Sequence, residues 1–347
     1  MSTMKTLLVT AIAAASASTA FAENISSRNN GMGGTGVASS NYDTASFTNP
    51  ALMTQFKTDD DISVILPTLG IEASDKDEVF DKLDSIADGF DDLEDAIDMS
   101  NTAEAERYAD EIISNLRDVD GGVVRLTVGG GGSITIPSKT FAVSAFATSR
   151  LDLGLMTSFS ESDANLIDLA VSHGDSGLLD NVDSYALGIG AVVTEVGVSF
   201  AREFTQGAHR FAVGVTPKYQ SVDTILYKAT VKEYDQDEID SDDYTSKDSN
   251  VNLDIGLAYF VNDNITVGFT VKDLISNDYK TTDYFDVIET YTIDPMATLG
   301  VSYRTDRFTA AIDAELTESE GFDFVDNSQM VRLGVEFDAW NWAQLRL

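Results

Sequence analysis

The chain has 347 residues, no cysteine, and 58 acidic against 22 basic residues, which gives a formal net charge of −36. The lack of cysteine excludes disulfides, thiol catalysis and thiolate metal sites in this chain. Nucleic acid is an unsuitable partner, because phosphate contacts require clustered Lys and Arg. So large an acidic excess fits a solvated surface that faces salt water or divalent cations.

The first 22 residues have the pattern of a secretory signal peptide. Lys5 precedes an apolar run from Leu7 to Ala17, and Ala20-Phe21-Ala22 forms a small-x-small cleavage site. The run is too short for a membrane anchor. We therefore predict cleavage after Ala22 and a mature chain that begins at Glu23. No later stretch of eighteen apolar residues follows, which leaves a soluble exported protein or a β-barrel.

A glycine-rich segment lies just inside the predicted mature N-terminus. Gly31, Gly33 and Gly36 spell G-x-G-x-x-G, the fingerprint of a dinucleotide-binding turn. That turn requires a strand before it and a helix at its last glycine, so that the pyrophosphate sits on the helix N-terminus. The flanking residues predict neither element. We therefore expect no cofactor here.

The segment from residue 75 to residue 118 is acidic and has helical periodicity. Ser100-Asn101-Thr102 separates two runs in which apolar residues recur at steps of three and four. This pattern predicts a helical hairpin inserted between strands. It would serve as a lid or a partner-binding arm, although packing alone also explains such apolar faces. The two apolar faces comprise Val79, Leu83, Ile86, Phe90, Leu93 and Ile97, and then Ala105, Tyr108, Ala109, Ile112, Ile113 and Leu116.

Strand candidates occur at residues 62–68 and, after Gly122, along most of the chain, where apolar residues alternate with polar or small ones. We count about a dozen or thirteen strands, with breaks at Gly129–Gly132 and between residues 193 and 196. Linkers 261–265 and 303–307 are tight, whereas 221–250 and 273–294 are long and polar. This predicts an all-β fold, a transmembrane antiparallel β-barrel over residues 61–347, with a soluble β-sandwich as the alternative. The chain ends in mid-strand at Leu347, so we expect the barrel to be C-terminally incomplete.

Three sequence features suggest a catalytic or metal-binding site. His173 lies in a predicted polar loop, Ser172-His173-Gly174-Asp175, but no nucleophile elbow accompanies it. His209 opens a strand and is expected to face solvent or lumen. The acidic loop 234–244 has Ile239 where a calcium ligand of an EF-hand would stand. We therefore expect neither an enzyme nor a defined metal site.

Several stretches resemble a known family. They are Gly31–Ala38 with Asn49-Pro50-Ala51, Ile65–Gly70 before the acidic insert, Val215–Gln220, Asn252–Leu257, Val271–Ile275 and Phe337–Arg346. Their order is similar to the conjugal transfer protein TraF family of outer-membrane type, itself similar to long-chain fatty acid transporter-like proteins. The thioredoxin-like plasmid factor of the same name shows no such similarity. The resemblance implies a barrel whose N-terminal segment, residues 23–60, plugs the lumen, and through which a hydrophobic ligand passes.

The expected function is therefore an outer-membrane channel or transporter for small hydrophobic molecules, with a role in conjugal transfer implied by the family. Gly31, Gly33, Gly34 and Gly36 would let the backbone turn tightly in a crowded lumen, and Asn49-Pro50 would fix the turn towards the first strand. Outer-membrane lipid and lipopolysaccharide, a hydrophobic ligand and an envelope protein are the expected partners. The alternative is an envelope assembly protein that docks partners through the helical insert.

Overall fold

The structure, a computed structural model, describes residues 26–57, 59–75, 78–232, 244–283, 288–318, 321–322, 329–340 and 343–347. The predicted signal peptide and residues 234–243 of the acidic loop lie outside this part of the chain. Within it, no helix is both long and apolar enough to cross a membrane.

One large antiparallel sheet dominates the fold, which confirms the all-β prediction. In the described residues, eleven strands pair in chain order, and two short strands between the seventh and the eighth of them form a separate two-stranded sheet. Each strand of the large sheet pairs with its neighbours in an antiparallel register, as in a meander. The strands are β1 Ser63–Asp75, β2 Val123–Ile136, β3 Ala142–Ser158, β4 Tyr185–Gln206, β5 His209–Thr230, β6 Thr245–Phe260, β7 Ile265–Lys272, β8 Asn277–Lys280, β9 Thr290–Ile293, β10 Met296–Arg304, β11 Phe308–Glu315, β12 Val331–Trp340 and β13 Ala343–Arg346.

The early strands are longer than the alternation predicted. The two predicted strands at 141–145 and 151–155 are one strand, β3, and those at 185–193 and 196–200 are both part of β4. The predicted break at Gly129–Gly132 is wrong, because β2 runs through it. A Cβ on Gly130 would overlap the carbonyl oxygen of Thr68, so glycine here permits close approach of β1. Strand ends also occupy much of the predicted loop 221–250.

In the described residues, four helices and three 3₁₀ turns accompany the sheet. The predicted helical hairpin is present as α2 Val79–Asp98 and α3 Thr102–Val119. Helix α4, Glu161–His173, was not predicted, and His173 is its last residue rather than part of a loop. The other elements are α1 Ser27–Gly31 and the 3₁₀ turns Ala45–Phe47, Pro50–Thr54 and Ser176–Asn181.

The helical hairpin packs on one face of β2 to β5. Phe90 and Ile112 are buried in the same apolar cluster as Leu155 and Tyr227 of the sheet. Lys232, just after β5, ties the helices to the sheet through Glu94 at 2.5 Å and Asp180 at 2.6 Å. Burial opposes the charge of Lys232, but these two carboxylates outweigh it and raise the pKa of the amine. The hairpin is therefore docked on the sheet.

The N-terminal segment, residues 26–57, lies against the opposite face, which we call the inner face. It contacts nine strands between β2 and β12. At one end the Ser133 hydroxyl of β2 donates to the Asp43 carbonyl, and at the other end Glu336 of β12 pairs with Arg28. Nine flat strands would extend over about 38 Å. The segment is nevertheless folded on itself, since Asn29 binds Ser40 and Asn49 binds the Val37 carbonyl. The sheet therefore curves around the segment.

The two faces of the curved sheet have opposite polarity. Along β5, Thr216, Lys218 and Gln220 point to the inner face and are buried, whereas Val213 and Val215 alternate with them and are exposed. The strands β6, β10 and β11 repeat this arrangement. A soluble sheet buries its apolar face, so this distribution is inverted. Buried inner-face residues include Ser144, Thr148, Ser199, Asn252, Asp254, Thr270, Thr298, Ser302 and Asp313; exposed outer-face residues include Val196, Val251, Leu257, Tyr259, Leu299, Val301, Ile312, Leu333 and Val335.

Candidate functional site

The predicted glycines lie where the N-terminal segment contacts β11, β12 and β13. Gly31 ends α1, and Gly33 and Gly34 follow with left-handed φ angles of 62° and 79°. A Cβ on Gly33 would overlap the carbonyl oxygen of Leu333 in β12. Gly33 therefore combines a conformation that favours glycine with a direct backbone contact to the sheet.

Gly36 binds a carboxylate of the sheet. The backbone N–H groups of Gly36 and Val37 both donate to Asp313 Oδ2, over 2.7 and 3.0 Å. The turn thus presents paired amides to an anion, as a dinucleotide turn does, but the anion is a side chain of β11. Ser26 caps α1, and the element that leads into the glycines is this short helix and not a strand. The arrangement is an anchor between the segment and the sheet.

Two arginines extend this anchor. Arg28 donates to Glu336 of β12 over 2.9 Å and to the Ser39 carbonyl over 2.8 Å. Arg346 of β13 approaches the same Glu336 carboxylate to 2.6 Å. The Ser302 hydroxyl donates to the Ala38 carbonyl over 2.7 Å. The segment is therefore held by charged and neutral hydrogen bonds to β10, β11 and β12.

Asn49 and Pro50 hold the other end of the segment. The Asn49 carboxamide accepts from Ala51 N–H over 3.1 Å, which caps the 3₁₀ turn that begins at Pro50. Its amide group donates to the carbonyls of Val37 and Leu257, over 2.8 and 3.0 Å. Asn49 is fully buried. One side chain thus joins two parts of the segment to β6.

A row of glycines on the inner face faces this segment and was not predicted as part of the site. A Cβ on Gly256 would overlap Asn49, one on Gly268 the Val37 carbonyl and one on Gly334 the Met32 carbonyl. The sequence signal is an apolar-Gly-apolar triplet in five strands, with glycine at the inward position. These glycines are Gly214, Gly256, Gly268, Gly300 and Gly334.

Further along the strands, away from the tight turn at residues 261–264, a buried charge cluster projects from the inner face. Lys218 Nζ contacts Glu195 at 3.0 Å, Asp254 at 3.0 Å and Asp273 at 2.8 Å, and its side chain is 2% exposed. Gln220 donates to Glu195 and Asp273 over 2.6 and 2.7 Å. Sequence reasoning missed this cluster because its members come from three strands and the residue after β7.

Beyond the charge cluster, the inner face becomes apolar. Leu187, Ile189 and Val193 of β4 and Val222 and Leu226 of β5 form one buried cluster with aromatic side chains from the segment that contains β8 and β9. The inner face therefore has three successive zones: the N-terminal segment, the charge cluster and this apolar patch.

The remaining sequence candidates do not form a site with these zones. His173 Nδ1 bonds its own helix at the Leu169 carbonyl, 3.0 Å away, and His209 Nδ1 lies 2.8 Å from the Tyr259 hydroxyl. Both histidines are exposed. Within the described ranges, His, Asp and Glu do not gather in groups of three or more that could hold a metal ion.

Comparison with known proteins gives a family match. The model of a family described as "F plasmid transfer operon, TraF, protein" matches residues 46–315. No curated protein matches. Among solved structures, the Pseudomonas putida toluene transporter TodX is similar with a TM-score of 0.44 and 13% identity, over 95% of this chain and 84% of that one. The CymD monoaromatic hydrocarbon channel is similar with a TM-score of 0.40 and 11% identity, over 93% and 91%.

Proposed function

We propose that this chain, which belongs to the TraF family of the F plasmid transfer operon, is an outer-membrane protein that admits small hydrophobic molecules past an N-terminal plug. The inverted polarity of the sheet carries the proposal. In lipid the outer face of a sheet must be apolar, whereas a polar inner face suits an enclosed lumen.

The height of the apolar surface agrees with a bilayer. On β5 the outward positions from Phe211 to Tyr219 are apolar, and on β6 those from Val251 to Tyr259 are apolar. Eight residues of strand rise about 27 Å, and a tilted strand spans somewhat less, close to the roughly 25 Å apolar band of outer-membrane barrels. Beyond this band, strands β2 to β5 continue and are covered by the helical hairpin. The long strands thus have a lipid-facing part and a part covered by helices.

The inner face supplies the features of a controlled path. The N-terminal segment fills the region near the tight turns and is anchored at Asp313, Glu336 and Asn49. The apolar patch on β4 and β5 offers a surface for a hydrophobic molecule inside an otherwise polar interior. In this proposal Gly31, Gly33, Gly34, Gly36, Asn49 and Pro50 let the plug fit against the sheet and do no chemistry.

The test is uptake of N-phenyl-1-naphthylamine, a small hydrophobic fluorophore, across the outer membrane of a Gram-negative host. Expression of the wild-type chain should raise the uptake above that of the empty vector. Gly33→Val should change the uptake, because the new side chain overlaps the Leu333 carbonyl and displaces the plug.

Gly207→Val is the matched control. Gly207 has a φ of 63°, almost that of Gly33, but a Cβ there meets nothing within 4 Å. Both substitutions strain the backbone equally, and only one collides with the sheet. Wild-type uptake no higher than that of the vector, or equal effects of the two valines, would contradict the proposal.

A second candidate function, docking of an envelope protein, is favoured by the helical hairpin. Its exposed side is acidic, with Asp81, Asp88 and Asp91 on α2 and Glu104 and Glu111 on α3. A cavity of about 540 Å³ between the hairpin and α4 is bordered by Glu106, Asp110 and Asp168. The family description adds conjugal transfer as the process in which such a partner would act.

The register of the sheet provides a clean deletion for this second candidate. Asp75 pairs with Val124, so a two-residue Asn-Gly turn can replace residues 76–123 and leave β1 paired with β2. If docking is the function, donor cells with this variant should transfer plasmid at a reduced frequency while fluorophore uptake is kept. Unchanged transfer together with unchanged uptake would refute the docking function.

A further inference from the structure

The short hairpin of β8 and β9 covers the apolar patch of the inner face. Tyr279 of β8 and Tyr291 of β9 are buried, with 1% and 4% of their surface exposed, in the same cluster as Ile189, Val222 and Leu226. Phe322 joins them, with its ring centroid 5.0 Å from that of Tyr291. Aromatic side chains of the chain itself thus occupy the patch.

The patch departs from the pattern of its own strands. The next inward-facing residue of β4 after Val193 is Glu195, and the inward-facing residue of β5 before Val222 is Gln220. Both belong to the polar cluster around Lys218. On the other side of Val193 and Val222, away from the charge cluster, the inward-facing residues include Leu187, Ile189 and Leu226. An aliphatic wall with a few polar groups beside it is the usual composition of a small-molecule site.

The phenol of Tyr291 is bound as a ligand would be. Its ring lies in the apolar cluster, and its hydroxyl accepts a hydrogen bond from Arg150 over 3.0 Å. The Asp152 carboxylate lies 3.5 Å from the same hydroxyl and 2.7 Å from Arg150 Nε. Arg150 and Asp152 belong to β3, so the wall and the polar pair come from the sheet.

The hairpin that supplies this phenol is not part of the large sheet. Its two strands have four residues each and form a sheet of their own. A two-stranded hairpin is marginally stable by itself. Besides the bond from Arg150 to Tyr291, its polar contacts with the large sheet include one from the Thr224 hydroxyl to the Lys280 carbonyl, 3.1 Å, and one from the Asn250 amide to the Tyr279 hydroxyl, 3.4 Å. Displacing the hairpin breaks these hydrogen bonds and uncovers its aromatic rings.

We infer that the patch is a binding site for small aromatic molecules with a single hydroxyl, and that Tyr291 is an internal competitor which holds the site closed. The inference rests on the proposed function, since the ligand reaches the site from the lumen. The aliphatic wall of β4 and β5 takes the ring, and Arg150 with Asp152 takes the hydroxyl. The hairpin moves aside when such a molecule enters.

The test uses p-cresol, whose atoms are those of a tyrosine side chain, and the purified full chain in detergent. Tyr291→Ala removes the competitor, so calorimetric titration should show p-cresol binding about tenfold tighter than to wild type if the open state is about one tenth populated. Circular dichroism of the variant should match that of the wild type, which excludes misfolding as the source of the gain.

Tyr244→Ala is the matched control. Tyr244 packs edge-on against Tyr227 at 5.1 Å in the cluster under the helices, on the other side of the sheet. Its loss should leave p-cresol affinity unchanged, and partition into detergent is the same for both variants. An equal gain in both variants, or none in Tyr291→Ala, would overturn the inference.

Arg150 tests the ligand class. In the Tyr291→Ala background, p-cresol should bind more tightly than toluene, which lacks the hydroxyl. Arg150→Met should reduce that preference at least about tenfold, because a hydrogen bond from a charged donor is stronger than a neutral one, and Arg150→Lys should restore part of it. A preference that survives Arg150→Met would refute the assignment of Arg150 as the hydroxyl partner.

The two proposals fail separately. If wild-type cells take up the fluorophore but Tyr291→Ala binds p-cresol no better than wild type, the channel stands and the site is refuted. If Tyr291→Ala binds p-cresol tightly while no fluorophore enters wild-type cells, the site stands and the channel is refuted.

Discussion

Inward-facing glycines determine how closely the N-terminal segment approaches the sheet. On Gly256 there is no room for a methyl group, because Asn49 and Pro50 occupy that position. Asn49 in turn joins Val37, Ala51 and Leu257. A methyl group added at Gly256 would therefore disturb the hydrogen bonds of Asn49 as well as the contact with Gly256 itself.

Gly256→Ala should loosen the segment. Overpacking of a tight contact costs about 1–3 kcal/mol, and the loss of the Asn49 bonds adds to it. We expect faster proteolysis within residues 26–57 and a lower thermal midpoint. Gly188→Ala is the control, since the nearest atoms to a Cβ there, those of Tyr227, are 3.8 Å away. Equal protease sensitivity of the two variants would show that the contact is unimportant.

Lys218 is the cation on which three carboxylates depend, of which Asp254 is buried and the other two are partly buried. Glu195, Asp254 and Asp273 lie within 3.0 Å of its amine. Lys218→Met should cost about 3–5 kcal/mol, because breaking a buried ion pair leaves uncompensated charge. Adding Asp254→Asn should recover part of that loss. Urea unfolding of the single and double variants measures both effects, and a double variant no more stable than the single one would contradict this account.

At the scale of elements, the helical hairpin is a packing unit with its own core. Phe90 of α2 is fully buried among residues of α3, α4 and the sheet. Phe90→Ala should destabilise the helices by about 3–5 kcal/mol through lost burial and the cavity left behind. We expect the helical signal at 222 nm to melt before the sheet signal. Met99→Ala, at a residue 76% exposed, should leave the melting curve unchanged.

Local pattern predicted the helical hairpin well, because helical periodicity is a property of consecutive residues. Leu83, Phe90 and Ile112 lie in the core that the apolar stripe indicated. Strand lengths were predicted less well. Glycine marks a break only when a turn requires it, and Gly130 instead meets the backbone of β1, which lies some sixty residues earlier in the chain.

The role of the candidate residues as a plug stays a prediction, and the structure gives only their placement. The glycines of residues 31–36 and the pair Asn49-Pro50 do lie together against the inner face, but their partners come from strands far away in sequence. Gly36 binds Asp313, 277 positions later, and Lys218 gathers carboxylates from β4, β6 and the residue after β7. Such contacts depend on strand register, which one sequence does not specify beyond the alternation of faces.

At the scale of the whole molecule, the inverted sheet and the inner zones belong together. An apolar outer face requires a lipid neighbour, and a polar inner face closed by a segment needs anchors such as Arg28–Glu336, which is about 10% exposed on both sides. A single substitution can remove one anchor, whereas the apolar outer face needs contact with lipid along the full height of the strands. Membrane insertion therefore tests the architecture as a whole.

The cost of a charge on the outer face should depend on its depth. Val215 lies midway along the apolar outward run of β5, and Val261 lies in the tight turn after β6. Val215→Arg should destabilise the protein in liposomes by about 2–4 kcal/mol, and Val261→Arg by about 0–1 kcal/mol, because arginine is most costly at the bilayer midplane. Urea unfolding followed by heat-modifiable gel mobility measures both. In a soluble protein both exposed positions would accept arginine equally, so equal and small effects would exclude a lipid-facing sheet.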